Sequence, residues 1–202
     1  MFFLYAGAMA IMSVYISRQY RETEDSKLSL AYLIFPLLRG CLDLFHLATS
    51  IVAGFFLAKT MPLPEAFFYV FVANALLALL FIDLKCMRLP NVIVAGSSFF
   101  VILMNTVFGI GDISFYGALL GFGMSFVVAI ARMGAFGGGD VKLSALLGLL
   151  AGPDIAIIIL FGFVLAGVFA LQFLSMGLLS RKDYIPYGVF FIGAYALHFL
   201  YM

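Results

Sequence analysis

Long apolar stretches separated by short, punctuated connections dominate this chain. They fall at roughly 2–17, 28–58, 66–84, 91–109, 113–132, 140–151, 155–179 and 186–202. Apolar residues run on within each stretch without the period-two alternation of a half-buried strand, so each reads as a helix. A membrane barrel would need short alternating segments instead. The breaks carry proline, glycine and charge, as in Leu89-Pro90-Asn91 and Gly152-Pro153-Asp154. The pattern predicts an all-α fold, a polytopic transmembrane helical bundle of about eight segments. The longest polar stretch is Ser17–Lys27, too short for a soluble domain. One membrane-embedded domain over 1–202 is therefore expected, with N-terminal helices in 1–65 and a core in 66–202.

Composition agrees. Of 202 residues, 65% are hydrophobic and 10% charged, against about 25% charged in soluble domains. The net charge of +1 comes without a basic block, which argues against a nucleic-acid partner and leaves the lipid bilayer as the surroundings. That small net charge hides a strong sidedness. Alternating the helices puts the loops 18–27, 85–90, 133–139 and 180–185 on one side. Those loops and their edges hold Arg18, Arg21, Lys27, Lys85, Arg88, Arg132, Lys142, Arg181 and Lys182, whereas the opposite side has Lys59 alone. The positive-inside rule makes the basic side cytoplasmic and predicts both termini outside. The first stretch has its basic residues after it rather than before it, which is the wrong polarity for a cleaved signal. It is expected to be a retained helix.

Two stretches have unusual lengths. The stretch 28–58 would extend about 46 Å as one helix, against a hydrocarbon core of roughly 30 Å, and Pro36 and Gly40 are placed to break it. Its first part is expected along the cytoplasmic interface. The stretch 140–151 would reach only about 18 Å. So short a helix implies local thinning or a recessed start, and either admits water below the headgroups.

Carboxylates are scarce in the apolar stretches, and two of them stand out. Asp83 ends one stretch and Asp140 opens another, 57 positions later. Charged side chains at membrane depth are expensive, so they mark function by default. The sidedness places both at the cytoplasmic face. A carboxyl pair that shares one proton supplies an acid and a base together, which is the chemistry peptide hydrolysis requires, and it needs no cofactor. Helix capping, or pairing with Lys85 or Lys142, accounts equally well for two acids at helix ends. Gly137-Gly138-Gly139 precedes Asp140 and frees the backbone there for positive φ or close approach. An extended peptide can pair with such a stretch through main-chain hydrogen bonds.

Three elements in a fixed order resemble the type IV prepilin and preflagellin peptidase family. Gly137-Gly138-Gly139-Asp140 is similar to the GxGD signature of intramembrane aspartic proteases, and Val141-Lys142 follows it as in that family. Asp83-Leu84-Lys85-Cys86-Met87-Arg88-Leu89-Pro90-Asn91 resembles its other element, an Asp followed closely by Leu-Pro-Asn. Ile185-Pro186-Tyr187-Gly188 is similar to a third, a Pro-aromatic-Gly entry to the last helix. The resemblance covers about 66–202. It implies an aspartic endopeptidase that removes leader peptides from prepilin-like membrane precursors, with Asp83 and Asp140 catalytic. It also implies that Gly137, Gly138, Gly139, Lys142, Pro90, Asn91, Pro186, Tyr187 and Gly188 contact substrate. Larger members carry a cytoplasmic insert with paired CxxC zinc ligands and methylate the new N-terminus. Here the cysteines are Cys41 and Cys86, with no CxxC. The compact form is expected, without metal, cofactor or N-methylation.

Arg39, Asp43 and His46 share a helical face, where Asp43 can pair with Arg39. His198 is expected near the outer face in a structural role. Gly117-Ala118-Leu119-Leu120-Gly121 offers a small-residue helix contact. Two other classes use the same aspartates differently. A proton- or cation-coupled transporter would need access from both faces, and a non-catalytic assembly protein would tolerate substitution of both.

Overall fold

The computed structural model describes residues 59–131, 136–178 and 184–201. The first two predicted stretches, with Arg39, Cys41, Asp43 and His46, lie outside the described residues. Six α-helices are described: α1 (Leu63–Cys86), α2 (Asn91–Phe108), α3 (Phe115–Ala131), α4 (Gly138–Ala151), α5 (Ile155–Ser175) and α6 (Tyr187–Tyr201), with a 3-10 turn at Gly152–Asp154 between α4 and α5. The described part is all-α. Three stretches are long and apolar enough to cross a membrane: Leu63–Leu84, Asn91–Phe108 and Gly138–Ser175. The third is not one rod, because Gly152 at φ 63° breaks it.

The chain divides into two compact units, one of Met1–Cys86 with Ala95–Asp112, the other of Met87–Val94 with Ile113–Met202. In the first, Pro62, Pro64 and Glu65 open α1 in the way helix starts favour, since proline lacks only an N–H that would be unpaired there. Met87 at φ 50° ends it. At the far end of α2 the Gly109 N–H donates to Asn105 O at 2.9 Å and the Ile110 N–H to Met104 O at 3.2 Å. This paired closure needs a left-handed residue, and Gly109 has φ 65°. The Asn105 side chain donates to Gly111 O. The Phe100 ring lies against Phe67, Phe68 and Phe71, which closes α1 and α2 into an antiparallel hairpin.

The second unit is built around α4. Ser114 caps α3, its Oγ accepting from the Gly117 N–H at 3.0 Å. The Ser114 N–H donates to Leu149 O at 2.9 Å, tying the start of α3 to the end of α4. Above that tie the two helices run antiparallel with their backbones in contact. A Cβ on Gly117 would strike the Gly148 carbonyl, one on Gly148 the Gly117 carbonyl, and one on Gly121 the Ser144 carbonyl. The small-residue contact expected at Gly117 and Gly121 is therefore used for packing. Leu143, Leu146, Leu147, Ile155, Ile158 and Phe191 form the core. Leu119, Val127, Ile157, Val164 and Leu171 point outward, exposed, as lipid-facing positions do.

α5 returns antiparallel to α4, and α6 runs antiparallel to α5. His198 lies 3.4 Å from Asp154, while Phe163 meets Tyr187 and Phe191 further along. α4 spans about 21 Å and α5 about 31 Å. Phe136, just before α4, already touches Phe163, and the rest of α5, Val164–Ser175, rises a further ~18 Å. The start of α4 is thus recessed along α5, one of the two outcomes expected from its shortness.

The helix contact at Gly117 and Gly148 sets the most sensitive positions. Gly148→Ala places a methyl group against backbone that cannot yield, and should cost roughly 1–3 kcal/mol. Gly123→Ala meets open space and should leave stability unchanged or slightly raised. Thermal unfolding in detergent separates the two.

Candidate active site at the entry of α4

Gly137 is the N-cap of α4, extended at φ −83° and ψ 147°. Asp140 sits at the third helical position. Its Oδ2 accepts from the Gly137 N–H at 3.2 Å. Gly137 has no side chain to return the bond, so only half of a capping box is present. The Asp140 Oδ1 is buried and finds no donor among the described residues. The Gly188 backbone N–H, in the first turn of α6, faces the same carboxylate. Ser144 Oγ donates to Asp140 O at 2.8 Å, fixing the backbone one turn below.

Of the two uses expected of the glycine run, left-handed backbone is not made. None of Gly137, Gly138 and Gly139 has a positive φ; Gly138 and Gly139 are already helical. The close approach is real at one position. A Cβ on Gly139 would lie 3.0 Å from Leu89 Cβ and 3.5 Å from Leu89 N. Gly139 thus lets the Leu89-Pro90-Asn91 segment dock on the entry of α4. A second tie holds the same segment, the Lys142 ammonium donating to Asn91 Oδ1 at 2.8 Å. Lys142 is therefore a strut between two motif elements as well as an exposed cation. Pro90 is buried and Asn91 exposed.

An aromatic cluster closes the other side. The Phe136 ring lies 5.8 Å from Phe163, 5.4 Å from Tyr187 and 6.0 Å from Phe191. Phe163 and Phe191 meet edge-on at 5.2 Å. Offset and edge-on arrangements of this kind are the favoured ones. Pro186 and Gly188 are buried and Tyr187 half-buried. Phe136 was not singled out in the sequence; its place directly before the glycine run was the available signal.

Around Asp140, then, the structure gathers Leu89, Pro90 and Asn91, the three glycines, Lys142, and the Pro186-Tyr187-Gly188 entry to α6. Asp83 belongs to the other unit, in the last turn of α1, where it is 3% exposed. His198 faces Asp154 at the far end of α6 from Gly188, away from Asp140. Among the described residues no three His, Cys, Asp or Glu side chains are grouped to hold a metal ion.

The chain, all-helical over its described residues, combines membrane-length apolar helices with a half-buried acid at the entry of a recessed helix. Its family follows from comparison. The model of the type IV leader peptidase family matches residues 69–171, just over half of the chain, and the chain belongs to that family. The match includes Asp83, Pro90, Asn91, the glycine run, Asp140 and Lys142, and ends before Pro186. No curated protein and no solved structure matches the chain. Family membership makes this protein a peptidase of the membrane.

The aromatic cluster predicts a specific sensitivity. Phe136→Ala should destabilise the second unit by roughly 2–3 kcal/mol, below the usual cost in a soluble core because lipid replaces water around the unfolded helices. Phe136→Leu should recover most of that loss. Thermal unfolding in detergent measures both.

Proposed function

We propose that this chain is an aspartic endopeptidase that removes the leader peptide of type IV pilin-like precursors at the cytoplasmic face of the inner membrane. The observation that carries the reading is the Asp140 carboxylate. It stands at a recessed helix entry, with one oxygen committed to the helix cap and the other buried without a hydrogen bond to the described residues, among residues of all three motif elements. A purely structural acid would be expected to use both oxygens, since an unpaired buried acceptor is costly.

The mechanism uses Asp83 and Asp140 as a pair sharing one proton. The precursor's apolar segment packs among the helices, with its basic leader on the cytoplasmic side. The ionised carboxyl takes a proton from water, and the water oxygen attacks the scissile carbonyl carbon. The protonated carboxyl then delivers its proton to the leaving nitrogen as the C–N bond breaks. No covalent intermediate forms. The extended Gly137 and the adjoining glycines receive the substrate backbone. Pro90, Asn91, Lys142, Pro186, Tyr187 and Gly188 shape that groove. The lack of any CxxC pair supports hydrolysis without N-methylation.

The test is co-expression with a prepilin-like precursor, with the new N-terminus read by mass spectrometry. Wild type should release an unmethylated N-terminus, and Asp83→Asn or Asp140→Asn should lower processing at least a thousandfold while the protein remains folded. Full processing by either Asn variant, at wild-type expression, refutes the dyad. Aspartate-dependent ion flux in proteoliposomes without any processing would favour a transporter instead.

A further inference from the structure

Leu89, Pro90 and Asn91 are held at the entry of α4, although the helix before them belongs elsewhere. The segment Met87–Val94 groups with α4, whereas α1 up to Cys86 and the chain from Ala95 to Asp112 lie in the other unit. The joint with α1 is abrupt. Met87 takes φ 50°, a left-handed conformation that a residue with a side chain seldom adopts. Two contacts seat the segment. Leu89 fits where Gly139 has no side chain, since a Cβ there would lie 3.0 Å from Leu89 Cβ. The Lys142 ammonium donates to Asn91 Oδ1 at 2.8 Å, its one hydrogen-bond partner among the described residues. Lys142 lies just past the first turn of α4, near the positive end of the helix dipole, so that dipole does not account for a cation there.

Asp83 is joined to this segment by the chain itself. It sits in the last turn of α1, 3% exposed, and Leu89 follows it closely in sequence. From Asp83 to Cys86 the helix rises about 4.5 Å, and the chain from Cys86 to Leu89 adds at most ~11 Å. Asp83 therefore lies within about 15 Å of Leu89, whatever path the chain takes. A carboxyl pair shares a proton only when the two groups are about 3 Å apart. A displacement of about 1 Å is already enough to disturb such a site. Where Leu89 and Asn91 are held thus limits where Asp83 can stand.

We propose that Lys142 is a positioning residue for the acid pair: through Asn91 it clamps the segment after α1 onto α4, and so sets where Asp83 stands relative to Asp140. Neither Lys142 nor Asn91 exchanges a proton in the reaction. The effect on cleavage rests on the peptidase reading; the clamp on the acid pair does not.

Two readouts on the full chain keep them apart. The first is the pH titration of the Asp83 and Asp140 carboxyl carbon-13 signals in Asp-labelled protein in nanodiscs, each assigned by its loss in the Asn variant. The second is kcat and KM for precursor cleavage. Acids that share a proton titrate in two separated steps that belong to the pair. The charged residues of the surrounding chain are Lys85 near the end of α1, Arg88 in the segment and Lys142; α2, α3 and α5 carry none, and α6 has His198 at its far end. A nearby cation moves both steps the same way, and Asn91→Ala changes no charge, so the separation of the steps reads the closeness of the acids.

Asn91→Ala should draw the two steps together by about one pH unit or more, and lower kcat about tenfold or more with KM little changed. Lys142→Arg, which keeps a donor, should resemble wild type in both readouts. Lys142→Ala combined with Asn91→Ala should lose no more than Asn91→Ala alone. A step separation unchanged in folded Asn91→Ala, in protein whose cleavage needs both aspartates, overturns the clamp and leaves the peptidase reading intact. Wild-type carboxyls that titrate independently overturn it as well. So does a rise in KM alone, or a double variant far worse than either single one, because Lys142 would then act on substrate directly. Steps that narrow in Asn91→Ala and stay apart in Lys142→Arg, in protein that cleaves no precursor, support the clamp and remove the peptidase reading.

Discussion

The peptide backbones of α3 and α4 meet where Gly117 faces Gly148. In lipid there is little hydrophobic drive between helices, so association depends on how closely the backbones can approach. Two glycines facing each other give the closest approach available, and it fixes register as well as distance. A side chain at either position would strike a carbonyl of the other helix. The Ser114 N–H to Leu149 O bond pins one end of this contact. Gly152 and Pro153 then end α4 and turn the chain into α5. With its register and its end fixed, α4 starts at the Gly137 cap, partway along α5.

That start is where distant parts of the sequence converge. Leu89 fits against Gly139, Asn91 accepts from Lys142, and Phe136 joins Phe163, Tyr187 and Phe191. Each tie is modest alone. Together they hold an extended Gly137 and the first turn of α4 between the segment after α1 and the entry of α6. A short recessed helix therefore need not be a weak one. Its entry is braced by polar contacts on one side and an aromatic cluster on the other.

Much of this arrangement was legible in the chain. The apolar stretches 66–84, 91–109, 113–132, 140–151, 155–179 and 186–202 agree with the six described helices to within a few residues, because proline and glycine punctuate each break. The shortness of 140–151 left a recessed entry as one of two outcomes, and Gly117 with Gly121 foretold a close helix contact. Other features depended on tertiary neighbours. The spacing between Asn91 and Lys142 does not announce a hydrogen bond. Phe136 is one of 24 phenylalanines, and its role exists only because α5 and α6 bring rings to it. The glycine run allowed both left-handed backbone and close approach; the structure uses the second, Gly139 clearing Leu89, and no local signal separates the two.

A helix-capping acid and a reactive acid place opposite demands on a carboxylate. A cap must accept hydrogen bonds steadily, since the first N–H groups of a helix otherwise have no partner. A reactive carboxyl must keep an acceptor free for a proton in transit. On the proposed peptidase reading, Asp140 can meet both demands by dividing its oxygens. Oδ2 is bound to the Gly137 N–H, which fixes the side-chain direction. Oδ1 makes no hydrogen bond to the described residues. Capping and reactivity, which from sequence alone stood as rival explanations of this aspartate, are thus compatible in one side chain. The cap is what would hold the free oxygen in place.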